Sequence, residues 1–332
     1  MEVRMAKPFV TELVQGTPVA AFFLIGDLQI RQKRTGEPYL LLRLADRTGE
    51  VGAVLWEGAE LAARDIALGD VVKVQGVLGT YHDEPQFTVN RIRKVAPEEV
   101  RLEDYLPQTE ADLGVLEARL REAVADMAEP SLKRLLEDLL ADPAFLDPFR
   151  TAPAATHIHH AVLGGLLEHT VSVVRLCRLL AEHYPVLDRD LLCAGAILHD
   201  VGKIRELRWD RRFDYTDSGR LLGHIALGTL LVEERIRAIP DFPAQVAMRL
   251  LHCILSHHGE LEWGSPKRPK TLEALVLHAA ENLDGKINGF LGFADGHMDP
   301  QRPGWTQFNR TLERYLYLGP NTEEGKGEKG EG

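Results

Sequence analysis

The sequence predicts a multidomain chain of mixed α and β class: a five-stranded OB-fold β-barrel, a helical linker, then an all-α domain. Three observations carry this. The apolar pattern alternates with period two from about Val19 to Val95 and turns helical beyond it. The early strand-like runs are five, short, and separated by Gly, Asp and Pro turns. At 332 residues the chain is also longer than one typical domain.

The elements follow in order. Ala20 to Ile25 opens the barrel, Tyr39 to Leu44 follows, and the turn Asp46-Arg47-Thr48-Gly49 leads to Val51 to Trp56. A short helical piece near Ala59–Ala67 comes next. Leu68-Gly69 then enters Asp70 to Val77, and Pro85 to Ile92 ends the set. Five strands with a helix between the third and fourth is the order of an OB-fold, a small Greek-key barrel, placed at residues 1–97. Such barrels hold single strands by base stacking and basic loops. Tyr39, Trp56, Tyr81 and Phe87 are the candidate stacking residues, and Arg31, Lys33 and Arg34 of the first long loop are candidate substrate contacts. Aromatic residues in strands also fill cores, so both readings stay open for each.

Residues 98–150 read as a helical linker, with Leu, Ala, Glu and Arg at helical spacing from Glu110 to Leu140 and punctuation at Pro130, Pro143 and Pro148. From Thr151 to Leu318 the period is helical almost throughout, broken by Gly264–Pro269 and Pro303-Gly304. This predicts an all-α domain over 151–320. Asn321 to Gly332 holds Gly, Glu and Lys with no apolar content and reads as a disordered tail.

Composition narrows the function classes. Net charge is −11, and residues 1–97 carry equal numbers of acidic and basic side chains, so the helical part holds the whole excess. A surface of that sign argues against non-specific polyanion binding by the whole molecule. No apolar run is long enough to span a bilayer, and the N-terminus lacks a secretory pattern, so no membrane partner is expected. Cys177, Cys193 and Cys253 are odd in number and lie in apolar stretches with no CxxC pair. They read as buried thiols of a reducing cytoplasm.

The chemistry concentrates in the helical half. His199-Asp200 joins two metal-ligand types at the end of the apolar run Ala196 to Leu198. His169 precedes it on an amphipathic helix behind Gly164-Gly165, whose glycines allow close packing; His224 and His257-His258 follow. Imidazole and carboxylate donors suit Mn²⁺, Fe²⁺, Co²⁺ or Zn²⁺. Asp200 has two oxygens and can bridge two metals. Lys203 shares a helical face with His199 and Asp200 and reads either as a phosphate contact or as a helix-end cation complementing the dipole. Adjacent histidines on a helix point about 100° apart, so His257 and His258 are expected to serve a metal unequally. Glu281 and Asp284 lie three apart on one helical face.

As a set, the strings Gly164-Gly165-Leu166-Leu167-Glu168-His169-Thr170, Leu198-His199-Asp200-Val201-Gly202-Lys203, Leu222-Gly223-His224 and Ser256-His257-His258-Gly259 resemble the HD phosphohydrolase superfamily. With the preceding barrel they resemble the YhaM-type 3′–5′ exoribonucleases of bacteria, over about residues 15–318. The resemblance implies an HD domain, a divalent metal (manganese or cobalt in this family), and stepwise release of nucleoside monophosphates from single-stranded RNA or DNA. It implies His169, His199 and Asp200 as core ligands, with His224 and one or both of His257 and His258 completing a second metal as in binuclear relatives. Asp200 and Lys203 would act in catalysis. His159-His160-Ala161 matches a further family string, whose histidines meet substrate or serve structure. One place departs. The family pattern Asp-Asn-hydrophobic-Asp-Ala reads Glu281-Asn282-Leu283-Asp284-Gly285 here, so Glu281 takes the acidic ligand position, with Asp284 as the alternative. Two other readings stand beside the nuclease: a phosphohydrolase of small or cyclic nucleotides, and a single-strand-binding factor on a degraded HD scaffold. Apolar helix faces leave room for a homo-oligomer.

Overall fold

The computed structural model describes residues 8–82, 84–96, 99–100, 104–156, 161–209, 212–294 and 297–319. His159, His160 and the tail 321–332 therefore lie outside the described residues.

Five strands close the N-terminal barrel: β1 Pro18–Gln32, β2 Pro38–Asp46, β3 Gly49–Leu55, β4 Val71–Tyr81 and β5 Glu84–Lys94. Their order around it is β1-β2-β3-β5-β4. Neighbours run antiparallel except β3 and β5, which run parallel. Helix α1, Ala59–Asp65, crosses from β3 to β4 as the OB order requires. Alternation decides what fills the barrel: Leu40, Leu42 and Leu44 point in along β2 while Arg43 points out. β1 is far longer than its apolar opening suggests, because it pairs with β4 through its first half and β2 through its second. A register shift between Ile25 and Asp27 lets one strand serve both partners by bending there.

Tyr105 and Leu106, just after the barrel, pack with Leu24, Ala45, Val71 and Val95 and fasten the two halves together. The three helices of the expected linker are α2 Leu113–Ala125, α3 Pro130–Ala141 and α4 Pro143–Thr151. α3 and α4 each start on a proline, which lacks the N–H that a first turn would leave unpaired. Glu129 and Asp142 cap them, accepting from Leu132 and Ala144 N–H at 2.6 and 3.0 Å. These helices do more than connect. Leu120, Leu135, Leu139 and Phe149 are fully buried in the same core as Leu166, Val173, Leu192 and Leu198. The apolar stripe of the expected linker is thus spent on the core it shares with α5 and α6.

The remaining helices are α5 Gly165–His183, α6 Arg189–Leu198, the single turn α7 Lys203–Glu206, α8 Asp217–Ala238, α9 Ala244–Ser256 and α10 Leu272–Ala294. A two-residue-per-strand hairpin, β6 Leu207–Arg208 and β7 Asp214–Tyr215, separates α7 from α8. α6 is buried from Leu191 through Leu198, so the chain that carries His199-Asp200 comes out of the middle of the core. Helix does not run to Leu318 as expected. After Ala294 the described chain is irregular and held by single bridges such as Trp305 to Tyr317. Among the described residues, no helix is long and apolar enough to cross a membrane.

Candidate metal centre

His169 lies in the first turns of α5, His199 caps the end of α6, and Asp200 follows it. All three are at most 6% exposed. His169 donates from Nδ1 to Asp284 Oδ2 at 2.8 Å, and His199 donates from Nδ1 to the Ala196 carbonyl at 2.8 Å. Each ring turns its Nε2 toward the other, and these two atoms stand 3.2 Å apart. Two lone pairs at that distance repel unless a proton or a metal ion lies between them. Asp200 Oδ2 stands 3.4 Å from His199 Nε2 and 3.7 Å from His169 Nε2. The donor atoms of these three residues form one candidate ligand group.

His224, His257 and His258 form a second. His257 donates from Nδ1 to the Ile254 carbonyl at 2.7 Å, and His258 to the Trp263 carbonyl at 2.8 Å. His224 meets Glu206 Oε1 twice, with backbone N–H at 2.9 Å and Nδ1 at 3.2 Å. In each case the backbone or a carboxylate holds Nδ1 and fixes the tautomer that leaves Nε2 as a donor to metal. Asp200 joins the two groups. Its Oδ1 lies 3.4 Å from His224 Nε2 and 3.6 Å from His257 Nε2. Asp200 Oδ1, His224 Nε2 and His257 Nε2 are buried and have no hydrogen-bond partner. Buried polar atoms are normally satisfied, so three orphans converging on one point mark a place for a cation. The residues fit a divalent metal.

Electrostatics agree. Burial pushes the His257 pKa down to about 3, and burial also lowers His169 and His258, so these rings are neutral and able to ligate near pH 7. Burial opposes the charge on Asp200, but Lys203 and His199 outweigh it and hold the carboxyl well below its usual range. Burial likewise opposes a proton on His199, yet the Asp200 charge wins and raises its pKa. Lys203 reaches Asp200 Oδ2 at 2.6 Å with its side chain 16% exposed. It opens the single turn α7.

Local backbone explains why these strings take this form. A Cβ on Gly202 would sit 1.9 Å from the His224 carbonyl oxygen, so only glycine lets α7 pack this tightly on α8. Gly223 adopts φ 73°, ψ 159° and breaks α8, which turns the His224 N–H toward Glu206. α9 ends at Ser256 with His257 as its C-cap, and the donor atoms of His257 and His258 fall in one candidate group, in which His257 also lies 3.6 Å from Asp200 Oδ1.

The acidic position resolves into two roles. Asp284 is 5% exposed and holds His169 Nδ1, and it accepts from Ser172 Oγ and, at 3.2 Å, from Asn288 Nδ2. It orients the His169 ring. Glu281 is half-buried on α10, outside both groups of converging atoms. Burial raises its pKa, helped by the nearby Asp200 charge and opposed by His199. Sequence reasoning missed Glu206. A buried glutamate three residues after Lys203 was the available signal, but its partner lies 18 positions on.

On the barrel, Phe87 is 0% exposed and meets Phe23 edge-on at 6.2 Å. It is core, and its reading as a base-stacking residue is corrected: Phe87 shares the inward face of β5 with Val89. Trp56 and Tyr81 are 44% and 58% exposed, and Tyr39 stacks on Trp56 at 4.8 Å. Arg31 belongs to β1, opposite Tyr39, and not to a loop. Lys33 and Arg34 form the turn, where Lys33 pairs with Glu37 at 3.1 Å. Lys33 and Trp56 line a groove of about 500 Å³. A larger cleft of about 820 Å³ between α1 and the β4–β5 face, lined by Lys73, Asn90, Arg91 and Arg93, was not foreseen.

Comparison with known proteins agrees with this geometry. Residues 166–286 match the model of the HD domain, and residues 28–95 match that of an OB-fold nucleic acid binding domain. A protein of Bacillus subtilis named 3′-5′ exoribonuclease YhaM is 35% identical over 311 residues, covering 92% of this chain and 96% of that protein. Those of the same name from Bacillus pumilus and Halalkalibacterium halodurans are 35% and 32% identical, over 87% and 93% of this chain and 90% and 95% of theirs.

Proposed function

The chain belongs to the YhaM family of 3′–5′ exoribonucleases, and on that premise we propose that it is a metal-dependent nuclease that shortens single-stranded RNA from its 3′ end. The products are nucleoside 5′-monophosphates. The observation that carries the reading is the convergence of Asp200 Oδ1, His224 Nε2 and His257 Nε2, buried and unpartnered, beside the facing Nε2 atoms of His169 and His199. These residues and His258 would hold the metal. Two donor groups joined by one carboxylate support a binuclear centre, and the nitrogen and oxygen donors suit manganese first, with cobalt, iron or zinc also accommodated. What such cations supply is Lewis acidity at the phosphoryl group and a water acidic enough to attack near neutral pH.

The chain does the rest. Asp284 and Glu206 hold His169 and His224 in the ligating tautomer. Lys203 uses one ammonium donor on Asp200 and offers the others to a phosphate oxygen. The barrel holds the strand, with Trp56, Tyr39 and Tyr81 as stacking surfaces and Arg31, Lys33 and Arg34 beside them. A small nucleotide would have no use for that barrel. Buried thiols fit a reducing cytoplasm as the place of action.

The test is a 5′-labelled single-stranded RNA incubated with Mn²⁺ and either the protein or Asp200→Ala. A ladder shortening from the 3′ end, absent with the variant, is expected. An intact strand with the unaltered protein, or equal turnover by the variant, overturns the reading.

A further inference from the structure

The β6–β7 hairpin and the start of α8 together carry an arginine cluster that the metal chemistry does not use. Arg208, Arg212 and Arg220 converge on one carboxylate, with guanidinium nitrogens 3.0, 2.8 and 2.7 Å from Asp214 oxygens. The arginine side chains are 46–60% exposed, while that of Asp214 is 11% exposed. One carboxylate meets three guanidiniums here, in a chain of net charge −11. Guanidinium forks match phosphate oxygens in shape as well as charge. Tyr215 is 38% exposed with the Arg220 guanidinium 5.6 Å from its ring centroid, which adds a flat surface to the same patch.

Two contacts fix where the patch lies. At the base of the hairpin is Glu206, the residue that holds His224. Arg208 is two residues beyond it, within about 7 Å of extended backbone. At the other side, Phe213 packs against the cluster of Leu24, Ala45, Val71 and Val95 that joins barrel to helices. The hairpin therefore bridges the barrel and the metal centre.

We propose that Arg208, Arg212 and Arg220 form a phosphate-binding station for the single strand, gripping backbone phosphates on the 5′ side of the scissile bond as the strand passes from barrel to metals. The proposal rests on the nuclease reading above for its direction of travel. Contacts of this kind position a strand without reading its sequence, and they release counterions, so they show in the salt dependence of binding.

The test measures fluorescence anisotropy of a labelled single-stranded RNA against full-length protein in EDTA, so that binding is read without hydrolysis. Arg212→Gln and Arg220→Gln each leave two guanidiniums on Asp214 and so keep the hairpin folded. Arg237→Gln, on the part of α8 where Arg237 pairs with Glu233, is the control for charge alone. Each hairpin variant is expected to bind roughly tenfold more weakly, with a salt slope shallower by about 0.7, while the control matches the unaltered protein. If both hairpin variants keep the affinity and slope of the unaltered protein, the arginines serve only to clamp Asp214 and the proposal is overturned, whatever happens to the melting temperature. Unaltered protein that fails to bind the strand overturns it too. A protein that binds through these arginines but leaves RNA intact with Mn²⁺ sinks the nuclease reading and leaves the station standing.

Discussion

His169 shows how one residue can be legible in type and hidden in role. Its place in a Gly-Gly-Leu-Leu-Glu-His-Thr string makes it a candidate ligand, and its Nε2 faces that of His199. What the sequence could not show is the carboxylate behind it. Asp284 read as an alternative ligand because spacing along a helix gives a shared face, not the atom that a side chain meets. Glu206 was hidden more deeply, since the turn α7 and the break at Gly223 bring it to His224. Carboxylates behind metal-binding histidines orient the ring and raise its basicity. Asp284→Asn and Glu206→Gln should therefore each raise the Mn²⁺ concentration for half-maximal rate by about 10- to 100-fold. Substrate KM at saturating metal should stay near that of the unaltered protein. A metal titration of the initial rate checks this, and unchanged half-saturation would remove both residues from the centre.

At the scale of elements, the order of strands and the existence of the main helices were legible, because alternation and the 3.6-residue period are direct imprints of burial. Strand parity was also on the page. Phe87-Thr88-Val89 places Phe87 on the face of Val89, and both are buried. Close approach was not legible: nothing in Asp200-Val201-Gly202-Lys203 says that a carbonyl of α8 will lie against Gly202. Two predictions belong here. Phe87→Ala should lower stability by about 3–5 kcal/mol, read by denaturant unfolding of the barrel. Trp56→Ala should leave that transition almost in place and weaken strand binding by about 1–3 kcal/mol, read by anisotropy. The opposite pattern would exchange their roles. Gly202→Ala should cost at least about 1–3 kcal/mol through overpacking and should lower metal affinity as well, since His224 must shift. A melting curve and a Mn²⁺ titration on one sample read both.

Over the whole molecule, the two-part plan could be read from the change of period, but the domain border could not. The stretch from α2 to α4 looks like a connector in sequence because it is flanked by prolines, and its Leu stripe reveals its partner only when α5 and α6 are in place. The thiols follow from the same core. Burial raises Cys193 to about 11 and Cys253 to about 12, and raises Cys177 further. A raised pKa keeps a thiol protonated and unreactive at pH 8. An aromatic disulfide reagent should therefore titrate almost no thiol in the folded protein at pH 8 and all three after denaturation. Rapid native labelling would show that the helical core opens.

The central claim is that the buried His and Asp cluster holds divalent metal. Equilibrium dialysis of chelator-stripped protein against Mn²⁺, with Asp200→Ala beside it, tests this without any assay of turnover. The expected result is saturable binding of two Mn²⁺ per chain that falls sharply in the variant, because Asp200 serves both donor groups. Binding no greater than that of the variant would contradict the account.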